Sequence, residues 1–193
     1  NAAQLTPFGF AAGMIEQGNW GTALLPGVSV APRPQRLFAT DQVSAFSAHF
    51  RELEKFGLTN LGSPLSEAAT LRAQLPPHFA EHVLAGSTEV EKLAARTGEY
   101  FFAVEPEFTD PTSGLISTFQ HDANRFPLDP SEDPTLPASP TGRAFMKSLE
   151  EAMHVLSNRP ACRVAGVDFG GFDTHGKQNP AHEDLLTYLA QGF

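Results

Sequence analysis

Apolar positions along this chain fall into a few short periodic stretches separated by long irregular ones. Leu24-Leu25-Pro26-Gly27-Val28-Ser29-Val30 reads as a turn followed by a short strand. From Thr40, a suitable helix N-cap, Val43, Phe46, Phe50 and Leu53 recur at helical spacing, and Gly57 is a natural terminator, so a helix is predicted there. Ser63-Pro64 opens a second helix with proline at its first position, and Leu75-Pro76-Pro77 stops it. A third helical pattern extends from Phe79 to Arg96, interrupted near Gly86-Ser87. Residues 104–140 are rich in Pro, Asp, Ser and Thr and have little period, which predicts a long irregular connection.

The pattern sharpens after that. Ser139-Pro140 caps a helix with Phe145, Leu149, Ala152 and Leu156 on one face, and Asn158-Arg159-Pro160 ends it. Arg163 to Phe169 is an apolar run bounded by turn residues, which reads as a buried strand. The loop Gly170-Gly171-Phe172-Asp173-Thr174-His175 follows, and Asp184-Leu185-Leu186-Thr187-Tyr188-Leu189 begins another helix. Helix, strand, glycine loop and helix in that order form a parallel α/β unit. Few other strands are legible, so the expectation is part of one α/β domain whose N- and C-terminal parts are missing. Within it, residues 1–140 read as an irregular, helical, insertion-like region and residues 141–193 as the helix-strand-loop-helix unit.

Composition narrows the function classes. The 22 acidic residues outnumber the 13 basic ones, giving a net charge of −9, and no Lys/Arg cluster overrides it locally. Nucleic acid and anionic membrane surfaces are thereby excluded as partners. A metal ion can still bring an anionic ester to an acidic protein. With 16 Phe residues the chain carries too much apolar area for disorder throughout. Its apolar runs are far shorter than the roughly twenty residues that span a bilayer. Cys162 stands alone, so it forms no intrachain disulfide and reads as a small buried hydrophobe.

Candidate chemistry centres on Gly170 to His175. In open α/β sheets, ligands bind beyond the carboxyl ends of the strands, where this loop sits. Two glycines allow a sharp turn or a close backbone approach. Asp173 and His175 can both project toward one site if the loop is extended at Thr174, and a carboxylate with an imidazole suits Zn²⁺, Mn²⁺ or Fe. Asp168 and His182 join them only if the loop folds back, and Lys177 and Gln178 are candidate contacts for an oxyanion. The same Asp-Thr-His also suits an Asx turn that caps the next helix, leaving His175 exposed. Elsewhere, His78 and His82 stand four apart without the glutamate of a zincin motif. His121-Asp122 lies in the irregular segment, and His49 and His154 fall on amphipathic helical patterns.

Thr141-Gly142-Arg143-Ala144-Phe145 opening a helix, the strand to Asp168, and Gly170-Gly171-Phe172-Asp173-Thr174-His175-Gly176-Lys177-Gln178 together resemble the domain-of-unknown-function 1501 family. These are bacterial proteins grouped with the alkaline phosphatase and sulfatase superfamily, and the likeness covers residues 141–193. It implies an alkaline-phosphatase-like α/β/α sandwich with a mostly parallel sheet. It also implies export by a twin-arginine signal to the periplasm or beyond. The activity implied is metal-dependent hydrolysis of phosphate or sulfate esters, on a small molecule or a glycan, with Zn, Mn, Ca or Mg. Asp173 and His175 match the family's Asp-Thr-His and become the implied metal ligands. The family's early Gly-Gly-Xaa-Asp-Gly loop is absent here, and its later Glu-Phe-Gly-Arg and Asp-His-Gly segments do not occur. This piece is therefore expected to be inactive by itself. The alternative is a non-catalytic exported binding protein on the same scaffold.

Overall fold

The computed structural model describes residues 9–18, 20, 23–40, 46–56, 75, 77–79, 81, 85, 88–170, 172 and 178–192, without the side chains of residues 178 and 179. Strand β1 (Gly27–Val30) lies between β2 (Ala48–Phe50) and β3 (Val164–Val167). Both pairings are parallel. Val28 stands opposite Ala48, and Gly27 to Val30 stand opposite Val164 to Val167. Around this sheet lie α1 (Phe10–Gln17), α2 (Glu89–Thr109), α3 (Leu115–Thr118), α4 (Pro140–Asn158) and α5 (Gln178–Gln191). Mixed helix and strand on a small three-stranded parallel sheet places the chain in the broad α/β class. No helix among the described residues is long and apolar enough to cross a membrane.

Alternation along the strands decides what covers each face. Val28, Val30, Ala48 and Phe50 point to one side, where they join Val104 and Phe108 of α2 and Ala152 and Val155 of α4 in the main core. Phe108 lies at its centre, with ring centroids 3.9 Å from Phe56 and 5.6 Å from Phe50. The opposite face carries Gly27, Ser29, His49 and Gly166. Here α1 and the 3₁₀ turn Arg36–Phe38 approach so closely that a Cβ on Gly27 would meet Ile15 Cδ1 at 2.9 Å. A smaller core of Phe126, Leu136, Phe145, Met146 and Tyr188 joins α4, α5 and the segment between α3 and α4.

Helix α4 forms as its sequence predicts. The Ser139 hydroxyl accepts the Gly142 N–H at 3.2 Å, Pro140 sits in the first turn, and the helix stops at Arg159. Both short strands are also where the apolar runs place them, though β3, read as buried, is only partly buried at all four positions, whereas β1 is buried throughout. The helix predicted from Thr40 to Gly57 is not what forms among its described residues. Ala48–Phe50 is a strand and Leu53–Lys55 a 3₁₀ turn, and His49 sits on a strand rather than a helix. Phe46, Ala48 and Phe50 are buried while Ser47 and His49 are partly exposed, a period of two. A spacing of four is a whole number of strand repeats as well as a near-whole helical turn, so pairing with β1 decides the outcome.

Three other boundaries move. The third helical pattern is helical at Phe79, Glu81 and Ala85. Helix α2 then starts after the cap Thr88, where the Glu91 N–H bonds to Thr88 Oγ1 and the Thr88 N–H to Glu91 Oε2, and it runs to Thr109 rather than Arg96. Pro106 lies inside it, so the expected irregular segment loses its first residues to α2 and a further turn to α3. The last helix starts at Gln178, ahead of Asp184. Residues 1–140, read as insertion-like, supply two of the three strands. Helix α1 had no counterpart in the pattern reading.

Candidate functional site

Because the three strands are parallel, their carboxyl ends share one edge. The chain continues past that edge as Ala31–Gln35 after β1, Arg51–Lys55 after β2 and Asp168 onward after β3. Asp168 is exposed there. Phe169 stacks on Phe145 of α4 with centroids 4.2 Å apart, and Phe172 meets Phe169 edge-on at 5.1 Å. From α5, His182 Nε2 lies 2.7 Å from the Phe172 carbonyl oxygen. An aromatic ring at the strand end and a histidine from the next helix therefore both hold Phe172.

Asp173, His175 and Lys177 lie outside the described residues, as does the side chain of Gln178. His182 is half-buried, and its contact with a carbonyl requires Nε2 to carry the proton, which leaves Nδ1 alone for any ligand. Gly170 departs from expectation. A Cβ there would meet none of the described residues within 4 Å, and its φ is not left-handed, so no described contact or turn demands glycine. Among the described residues, no three His, Cys, Asp or Glu side chains gather as a metal site.

Two histidines elsewhere have structural duties. His121 Nδ1 is 2.7 Å from Glu150 and its Nε2 3.2 Å from Glu132, so both nitrogens donate to carboxylates. Desolvation opposes the charge, but the hydrogen bonds to Glu150 and Glu132 together outweigh it and raise the pKa above the ordinary histidine value. His154 Nε2 donates to the Leu115 carbonyl at 3.0 Å and ties α4 to α3; burial lowers its pKa. His78 is exposed, and His82 lies outside the described residues. Cys162 is buried with its thiol pushed up to about 11, mainly by desolvation.

A charged cluster at the same edge had no signal in the sequence reading. Lys147 Nζ stands 3.6 Å from Glu52, 3.9 Å from Glu54 and 3.9 Å from Glu151. Glu151 is 1% exposed, between the buried Glu150 and Ala152 on α4. The available clue is its place one turn before the buried Val155, inside the arc that faces the core. Next to the cluster, a groove of about 390 Å³ runs between β2 and α2, with Arg51, Glu52 and Lys55 on one side and Tyr100, Phe101 and Val104 on the other. No family model, no curated protein and no solved structure matches this chain.

Proposed function

We propose that this chain carries one metal-binding loop of an exported, periplasmic or extracellular hydrolase of phosphate or sulfate esters on an alkaline-phosphatase-like α/β/α sandwich. The direction of β3 carries the reading. In a parallel sheet its Gly-Gly-Phe-Asp-Thr-His run departs from the edge at which α/β proteins hold ligands. The likeness of residues 141–193 to the domain-of-unknown-function 1501 family supports it. Asp173 and His175 hold the cation, with the exposed Asp168 as an additional carboxylate at the loop entrance. His182 joins only by releasing the Phe172 carbonyl or by using Nδ1. Mixed carboxylate and imidazole donors fit Zn²⁺ or Mn²⁺ better than Ca²⁺ or Mg²⁺, which take oxygen ligands. A bound divalent cation supplies Lewis-acid stabilisation of a phosphoryl or sulfuryl oxygen. Lys177 and Gln178 contribute a cation and an amide donor for the ester oxyanion, while the Phe169–Phe172 pair fixes the loop entrance. One loop supplies only part of such a ligand set, so hydrolysis belongs to a longer protein.

Elemental analysis of the purified protein, with Asp173→Ala and His175→Ala beside it, tests the assignment. Bound metal is expected in the wild type, with affinity at least about tenfold weaker in each variant. Wild-type metal content in both variants rejects the site. The exposure of Phe172 (38%) and Leu186 (53%) beside the loop favours a second reading, a non-catalytic binding surface. On that reading, ligand capture survives chelation of the metal and aryl phosphate and sulfate esters stay intact.

A further inference from the structure

Glu151 is a carboxyl group with an incomplete set of partners. Its side chain is 2% exposed, it accepts a backbone hydrogen bond from Leu53, and its Oε2 has no hydrogen-bond partner. An orphaned buried oxygen is far more costly on an anion than on a neutral acid. Three elements surround it. Its own helix α4 brings Lys147, and the Leu53–Lys55 turn brings Glu52 and Glu54, with Lys55 closing on Glu52 at 2.7 Å and Arg51 approaching it at 3.9 Å. Helix α3, in contact with both, is Leu-Ile-Ser-Thr and has no titratable group. Lys147 thus stands 3.6–3.9 Å from three carboxylates and within hydrogen-bond distance of none, so one unit of charge is enough to redirect it.

We propose that Glu151 is a proton-operated latch on the Leu53–Lys55 turn. Protonated, it seats the turn on α4 and leaves Lys147 to bridge Glu52 and Glu54. Ionised, it draws Lys147 inward, leaves the two turn carboxylates facing a third, and frees the turn. Glu52 and Lys55 are also part of the wall of the groove between β2 and α2, so release of the turn opens that groove. Desolvation is the largest influence on Glu151. The Leu53 hydrogen bond and Lys147 oppose it, Glu52 and Glu54 reinforce it, and the pKa rises to about 7. None of this rests on the ester-hydrolase reading.

Amide hydrogen exchange at Leu53, Glu54 and Lys55, corrected for its intrinsic pH dependence, tests the latch. The pKa is raised in the closed form, so closure is favoured most below the ordinary glutamate range and weakens as pH climbs. Protection is expected to fall roughly tenfold per unit from about pH 5 to 7 and to level off above. Glu151→Gln, which cannot ionise, is expected to stay protected throughout. Lys147→Met is expected to move the levelling point upward, because the cation that favours the ionised form is gone. A flat wild-type profile, or a Gln variant with the wild-type slope, overturns the proposal. Carbon-13 titration of the Glu151 carboxyl decides the same question without substitution, and a midpoint at the ordinary 4.5 rejects the latch.

Discussion

Tyr188 and Gly142 meet so closely that each fixes the other. A Cβ on Gly142 would stand 2.1 Å from the tyrosine ring. The ring is fully buried, and its hydroxyl shares one proton between the carbonyls of Pro137, at 2.8 Å, and Leu128, at 3.0 Å. Gly142→Ala is therefore expected to displace the ring from both carbonyls and to lower stability by about 1–3 kcal/mol. Thermal melts read this as a loss of roughly 2–4 °C per kcal/mol in a chain of this size. Gly170→Ala, whose Cβ meets none of the described residues within 4 Å, is the matched control and is expected to melt with the wild type. Arg159 is a second fixed point. Its guanidinium reaches Glu107 Oε2 at 2.5 Å and the carbonyls of Glu107 and Ser113 at 2.9 and 3.0 Å, holding the end of α2. Arg159→Met is expected to cost about 1–2 kcal/mol in denaturant melts, given the partial exposure of both partners.

Among the elements, α4 and β3 were legible because local signals and tertiary packing agree there: a serine-proline start, an apolar stripe, then a short apolar run between turns. β2 was not, since Phe46 and Phe50 satisfy both periods and only the pairing with β1 separates them. The end of α2 was hidden by Pro106, which breaks most helices but is carried here by the burial of Val104 and Phe108 on either side. The segment between α3 and α4 looked structureless because its order comes from single side chains rather than periodicity. Asp122, Asp129 and Asp133 each close a turn on the amide two residues on. His121 then clamps the segment to Glu150, whose other oxygen accepts the Asp122 N–H at 2.6 Å. The raised pKa of His121 makes this clamp pH-dependent. Its contribution is fully present below the ordinary histidine range and is lost as pH rises through the raised value. Over pH 5 to 9 the melts of His121→Ala are expected to decline by about 1 kcal/mol less than those of the wild type.

For the whole molecule, the succession of α4, β3 and α5 was legible and what packs around it was not. Strand and helix follow one another in the sequence, so Asp168 just beyond β3 and His182 on α5 could be read directly, while Asp173 and His175 lie outside the described residues. The Glu52, Glu54, Lys147 and Glu151 cluster could not, because it exists only where a turn after β2 meets a helix far along the chain. The order β2-β1-β3 has one more consequence. β1 is completed by a strand that begins at Val164, most of the chain length away from Gly27. During synthesis on the ribosome β1 and β2 wait, with one flank of β1 open, until Val164–Val167 has emerged. Such distant pairing slows folding, and until it forms, β1 and β2 are exposed to chaperones and proteases.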